Sequence, residues 1–275
     1  MAIFIGSGGI PISSPERSTI GGIKHISKLG LNAMEVEFVR GVNMSPQLAE
    51  EAGKVAKELG IRLSVHAPYY INLLSDKKSI VHASIKRILD SLERAERMGA
   101  DAIAAHAAYY GKLSKEEAQK QMIDITTQIV ENMEKLGIKN TKLGYETMGK
   151  ASQWGKLDEV IDIYKKFRKH FVPYLDWGHM FCPDGKEDFA KILDELKDLG
   201  IKHINSHFNS VKFDAKSKKY VDIHVPVAAK TPDFAELAKV LVKKKIDITL
   251  ISETPLLEHD ALAMKRIIEK EGYKF

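Results

Sequence analysis

A single cysteine, Cys182, stands among the 275 residues, which excludes an internal disulfide framework and a thiolate metal site. Any metal would have to be held by imidazole and carboxylate. No apolar run approaches the ~20 residues needed to span a bilayer, so no membrane-embedded segment is expected. The opening residues, MAIFIGSGGIPISSPERS, carry neither a basic leader region nor an adequate apolar one; a soluble, cytoplasmic protein is the expectation. Neither sign of charge dominates, with 42 Lys and Arg against 37 Asp and Glu and a net charge of +5. That balance suits solubility and does not by itself call for a polyanionic partner. A G-x-G-x-x-G phosphate fingerprint is also missing: SGGIP after the first β-like run leads into Ser13-Ser14-Pro15, against a dinucleotide-binding sheet. Nothing signals oligomerisation, so a monomer is expected, and the richness in Lys, Glu and Ile suits a thermophile.

What is present is an alternation of short β-like runs and longer amphipathic segments. The runs are residues 2–6, 33–38, 62–67, 101–107, 142–146, 172–176, 202–208 and 247–253. Each is short and apolar enough to be covered on both faces, as parallel strands are. Helical periodicity fills the gaps, for example over 79–99, 115–137 and 186–200, and several helices stop at Gly30, Gly60, Gly99, Gly137 or Gly200 just before the next strand. Eight β-then-α units with no linker or low-complexity stretch predict one α/β domain over residues 1–275, a single (β/α)8 TIM barrel.

In such a barrel the active site lies at the C-terminal ends of the strands. His66 closes the third run, His106 the fourth, Glu146 the fifth and Asp176 the sixth, with His179 three residues on. His207 closes the seventh, Asp222 and His224 follow in its loop, and Glu253 closes the eighth. Taken singly, each has a plain explanation: His106 as a hydrogen-bonded core histidine, Asp176 as a helix cap, Asp222-x-His224 as a solvent-facing turn. Six consecutive strands ending in ligand-type residues are harder to explain that way, and carboxylates ending apolar strands are rarely buried without partners. Imidazole and carboxylate without sulfur suit Zn²⁺, Mn²⁺ or Fe²⁺. Nine candidates exceed what one catalytic metal takes, so two or three clustered ions are expected. Spacing reaches a multinuclear, hydrolase-like site and stops short of a substrate.

At these residues the chain resembles the endonuclease IV family, the zinc-dependent AP endonucleases of base-excision repair. The likeness runs through SVHAPYYINL (64–73), HAAYYGKL (106–113), YETMGKASQWG (145–155), LDWGHM (175–180), INSHFNSVKF (204–213), VDIHVPV (221–227) and ISETPLLEHDALAMK (251–265). The wording looks like the archaeal branch, within the wider xylose-isomerase-like superfamily. The resemblance implies a trinuclear zinc cluster. His66 and His106 would hold one zinc with Glu146; Glu146 would bridge to a second held by Asp176, His207 and Glu253; His179, Asp222 and His224 would hold the third. It also implies a partner, double-stranded DNA with abasic sites, cleaved on the 5′ side of the lesion to leave 3′-hydroxyl and 5′-deoxyribose phosphate ends, with Glu146 and Glu253 at the chemistry. Tyr69 and Tyr70 fall on a DNA-penetrating loop of the family, and Arg40 is a candidate for insertion from the second strand. Two departures stand out: HAAYYG replaces the His-Pro-Gly turn of many members, and Glu35 and Glu37 add acid near the mouth, which is unexpected beside DNA. The rival on the same fold is a single-metal sugar isomerase or epimerase, which needs Glu146, Asp176, His207 and Glu253 and has no use for the other five.

Overall fold

The computed structural model describes residues 1–275. Eight parallel strands close on themselves, and the first pairs with both the second and the last through Gly6↔Ala33 and Ile3↔Ile248. In chain order the barrel strands are Ile3–Gly8, Ala33–Glu37, Arg62–His66, Ala102–Ala105, Lys142–Glu146, Phe171–Asp176, Ile204–Phe208 and Ile248–Ser252. The TIM barrel expected from the eight-fold alternation is the observed fold. His106 and Glu253, expected as last strand residues, sit one position beyond the ladder, at the start of the loops.

Helices follow the strands and pack their apolar stripes on the outside of the barrel, giving one continuous core that includes Ile5, Leu63, Ile103, Leu143, Phe171 and Leu250. The boundaries follow local chemistry. Ser114 accepts from the Glu117 amide and Glu117 reaches back to the Ser114 amide, a reciprocal cap that starts helix Lys115–Lys135. The segment expected over 186–200 begins only at Phe189, because the Asp188 side chain accepts from the Lys191 amide and sets the start there. Gly30, Gly60, Gly99, Gly137 and Gly200 all have left-handed backbone, with φ between 67° and 81°. These are the helix-to-strand turns that the sequence marks.

Two excursions break the regular pattern, both at the C-terminal mouth. Ala108–Tyr109 pairs antiparallel with Gln153–Trp154, tying the loops after the fourth and fifth barrel strands. After the seventh strand a hairpin, Ser210–Asp214 with Lys219–Val225, stands beside the mouth, and this hairpin carries Asp222 and His224.

The barrel interior explains how the site is aimed. Residues two apart on a strand share a face, so Glu35 shares one with Glu37, Ser64 with His66, Gly144 with Glu146, Tyr174 with Asp176 and Asn205 with His207. The inward layer below the mouth is therefore polar, and it is closely fitted. Gly144 leaves room for the Tyr174 ring, since a Cβ there would lie 2.5 Å from the Ile103 carbonyl oxygen and 3.1 Å from the ring. Gly144→Ala is expected to cost on the order of 3 kcal/mol through forced displacement of strand and ring, read as a lower urea midpoint with an unchanged m-value.

Candidate metal centre

Buried carboxylate and imidazole side chains meet at the centre of the mouth. Glu146, with no exposed surface, lies at the middle. Its Oε2 is 3.3 Å from His66 Nε2 and 3.1 Å from His106 Nε2. Its Oε1 is 3.1 Å from His179 Nδ1 and 3.4 Å from His207 Nδ1. His207 Nδ1 in turn lies 3.5 Å from Glu253 Oε1 and 4.0 Å from Asp176 Oδ2. Four sets have ligand atoms within 4.8 Å of one another: His66, His106 and Glu146; Glu146, Asp176, His207 and Glu253; Asp176, His179 and His224; and the all-carboxylate Glu35, Glu37 and Glu253.

The imidazoles are held in defined orientations. His66 Nδ1 donates to the Ala67 carbonyl at 2.7 Å, His179 Nδ1 to the Thr147 carbonyl at 3.0 Å and His224 Nδ1 to the Glu253 carbonyl at 2.9 Å. In each of these rings Nδ1 is committed to the backbone and Nε2 is left to face a carboxylate. His207 is reversed: its Nε2 donates to Glu35 Oε1 at 2.7 Å, and Nδ1 faces the cluster. Asp176 is both cap and candidate ligand. Its Oδ1 accepts from the His179 amide at 2.6 Å and starts the short helix Trp177–Phe181, while its Oδ2 accepts from Asn209 Nδ2 at 2.8 Å.

The fit to metal ions can be read from the atoms that lack partners. Glu146 Oε1 and His207 Nδ1 are buried, face each other and make no hydrogen bond. A buried carboxylate oxygen and a buried ring nitrogen in that state are costly unless a cation lies between them. The donor set is nitrogen and oxygen without sulfur, which suits zinc, manganese or iron. In the first two sets the structure brings together the residues expected to share an ion. The third differs in detail: Asp176 joins His179 and His224, while Asp222 places Oδ1 3.2 Å from His179 Nε2 and 3.6 Å from His224 Nε2. The other oxygen of Asp222 is held by Lys150 Nζ at 2.7 Å.

Electrostatics follow from this crowding. Burial opposes charge on Glu146, yet the charges of His106 and His207 and the closeness of the His106 and His179 rings hold it well below the usual carboxylate range. Burial likewise disfavours a charged His66, but its hydrogen bond to Glu146 and the charges of Glu37, Glu146 and Glu253 push it up to about 10. His224 is pushed up to about 9 against burial by Asp222, Asp176 and Glu253. Burial and the neighbouring Glu35 and Glu253 charges raise Glu37 to about 8 despite His66 and His207.

The acidic pair on the second strand requires a correction. Glu35 and Glu37 lie near the mouth, as expected, but point inwards into the barrel instead of facing DNA. Glu35 has no exposed surface and accepts from Ser64 Oγ at 2.7 Å, Tyr174 Oη at 2.6 Å and His207. Oε1 of Glu37 is also buried, and the two carboxyls group with Glu253. Two glutamates at alternate positions of a strand covered on both faces were the available signal, since a carboxylate is not buried there without a partner. Lys150, Asn209 and Thr147 carry no comparable sequence signal; only the tertiary structure brings them to the ligands.

The rim above the centre is apolar. Tyr69 is 49% exposed and packs over His66 and His106 with ring centroids 5.2 and 5.7 Å away. Tyr70 is 65% exposed beside it, and Tyr109, Phe213, Ile223, Val39 and Leu256 are exposed on neighbouring mouth loops. Arg40 is exposed on the loop after the second strand, which meets the Tyr69 loop through the Tyr69 amide and the Val39 carbonyl at 3.4 Å.

A family model for the xylose isomerase-like TIM barrel matches residues 23–270, and the chain belongs to that family. An uncharacterised protein of Methanocaldococcus jannaschii is 30% identical over 277 residues, covering 97% of this chain and 96% of its own. A protein of Aster yellows witches'-broom phytoplasma named Probable endonuclease 4 is 28% identical over 239 residues, covering 82% and 76%. Among solved structures, a D-tagatose 3-epimerase-like protein superposes with TM-score 0.72 at 21% identity over 96% of both chains. Endonuclease IV from Thermus thermophilus does so with TM-score 0.71 at 19% identity over 96% and 98%. These likenesses to solved structures establish the fold and leave the chemistry to the site.

A pH dependence follows for the metal-free protein. His66 and His224 bind a proton more tightly folded than unfolded, so their contribution is complete below the ordinary value of 6.5 and is lost as pH rises through about 9 and about 10. Calorimetry is expected to show the metal-free melting temperature falling between pH 7 and 10. Zinc binding at pH 7 is expected to release protons, seen as a dependence of titration heat on the buffer's ionisation enthalpy.

Proposed function

We propose that this protein is a metal-dependent phosphodiesterase that cleaves DNA on the 5′ side of abasic sites. The observation that carries the reading is the convergence on one mouth of nine side chains: His66, His106, Glu146, Asp176, His179, His207, Asp222, His224 and Glu253. A one-ion enzyme would have no need of His66, His106, His179, Asp222 and His224. Zinc ions held there would supply Lewis-acid charge and activate water for an in-line phosphoryl displacement. Glu146 is positioned to be shared between two ions, because its two oxygens face different imidazoles.

The chain's own groups have separable tasks. His66, His179 and His224 stay oriented through their backbone hydrogen bonds, so little reorganisation is needed when substrate arrives. Lys150, half exposed at the edge of the centre, can leave Asp222 to meet a phosphate oxygen. The exposed Tyr69 and Tyr70, with Tyr109 and Phe213 on adjoining loops, offer faces on which bases stack. Such side chains suit filling the gap left by an extruded nucleotide. Arg40, on the neighbouring loop, is within the same rim and would contact the DNA backbone.

A second reading is favoured by one observation. Glu146, Asp176, His207 and Glu253 form a complete single-ion set, and the adjacent Glu37 carboxyl would be a proton-transfer group for a sugar isomerase or epimerase. Metal content separates the two: two to three equivalents per chain are expected for the phosphodiesterase, and one for the isomerase.

Incubation of the zinc-loaded protein with a duplex containing one tetrahydrofuran residue is expected to give a single nick on its 5′ side. Absence of metal-dependent incision across salt and temperature would overturn the assignment. Glu253→Gln is expected to lower incision by more than the about 10–100-fold that loss of an outer hydrogen-bond partner costs, with the circular-dichroism spectrum unchanged. Tyr70→Ala is expected to weaken binding of the abasic duplex by about 1–3 kcal/mol, the worth of one stacked base, in a fluorescence-anisotropy titration.

A further inference from the structure

Glu35 belongs to no ligand set needed for the proposed reaction, yet it is among the most completely buried charged groups in the chain. It lies one layer below the mouth, where it joins four barrel strands: the second through its own backbone, the third through Ser64, the sixth through Tyr174 and the seventh through His207. Although its carboxyl groups with those of Glu37 and Glu253, its oxygens are already used. Oε2 accepts from Ser64 Oγ at 2.7 Å and Tyr174 Oη at 2.6 Å, and Oε1 accepts from His207 Nε2 at 2.7 Å. A carboxylate with both oxygens engaged in that position is poorly placed to turn and coordinate an ion.

The imidazoles supply the second observation. His66, His179 and His224 each commit Nδ1 to a backbone carbonyl and leave Nε2 towards the cluster. No backbone carbonyl serves His207, and its ring is inverted. The bare atom is Nδ1, which has no hydrogen-bond partner and lies 3.4 Å from Glu146 Oε1 and 3.5 Å from Glu253 Oε1. A neutral imidazole has one N–H and one lone pair, so the group that takes the N–H decides where the lone pair points.

We propose that Glu35 is a positioning residue that fixes the tautomer and orientation of His207, making Nδ1 its metal-binding atom. The anionic acceptor does more than a backbone carbonyl would, since a carboxylate partner also raises the basicity of the ligand nitrogen. Ser64 and Tyr174 are the outer supports: by donating to Oε2 they keep Oε1 on His207. The inference rests on the metal-centre part of the proposed function and is indifferent to whether the substrate is DNA or a sugar.

The test uses the full-length protein and measures metal binding directly, so it is independent of incision. Zinc competition against a chromophoric chelator is expected to show that Glu35→Gln weakens one equivalent by about 10–100-fold and leaves the site of His66, His106 and Glu146 unchanged. Tyr174→Phe, which keeps the Glu35–His207 bond, is expected to stay within a few-fold of wild type. Cadmium-113 coupling in nitrogen-15-labelled wild type should fall on His207 Nδ1, with the proton on Nε2, and that coupling should weaken or vanish in Glu35→Gln. Wild-type affinity with undisturbed coupling in Glu35→Gln would overturn the proposal, as would coupling through Nε2 in the wild type. A drop in melting temperature with no change in zinc affinity would assign Glu35 a purely structural part and would also overturn it. Loss of affinity without any DNA incision by the wild type would uphold Glu35 while removing the nuclease reading.

Discussion

Glu146 is the group around which the rest of the structure is arranged, because a carboxylate with no exposed surface has to be answered by charge from its surroundings. His66, His106, His179 and His207 all bring a ring nitrogen within 3.4 Å of it. Those imidazoles need acceptors of their own: His66 and His179 find them in backbone carbonyls and His207 in Glu35. Burying such a network unsatisfied would cost more than a packed apolar interior. Its place at the C-terminal mouth, where active sites of this fold lie, makes it the candidate site.

The barrel supplies this network through two geometric rules. Parallel strands in staggered register bring residues far apart in the chain to one level, as in Asp176↔His207 and Glu37↔His66. Alternation of faces then stacks an inner layer of Glu35, Ser64, Tyr174 and Asn205 directly under the ligand layer. The lower layer holds the upper one in orientation, so the site depends on residues that an ion at its centre would never touch. The third group is built differently. Asp222 and His224 come from the hairpin Ser210–Val225 rather than from barrel strands, and they are more exposed than Glu146 or His207. Lys150 reaches Asp222 there because that edge is open to side chains from the loop after the fifth strand.

One barrel framework serves both epimerases and an endonuclease among the structures it resembles. The distinction has to come from the site and not from the barrel. Here the surroundings point two ways at once. The additional imidazoles and the exposed aromatic rim fit a large anionic substrate, whereas the inward Glu35 carboxylate reduces the positive character a phosphodiester would meet. Glu35 is reconciled with either chemistry by its bond to His207. Glu37, buried beside Glu253, is the residue whose part differs most between the two.

The barrel and the ligand-type residues were legible in the chain before any folding was considered. Eight short apolar runs, glycine turns at Gly30 through Gly200 and ligand residues at strand ends are local signals, and local signals survive without coordinates. Glu35 and Glu37 were legible as unusual acid near the mouth, but not their partners, because alternation says that two residues share a face without saying which face is inward. Folding settled that both point into the barrel, that His207 presents Nδ1 while three other rings present Nε2, and that Lys150 occupies one oxygen of Asp222. The bond from His207 to Glu35 spans 172 positions of the chain, and that from His224 to the Glu253 carbonyl spans 29. No periodicity within a strand or helix records such pairings, since they are made only when the eight strands close.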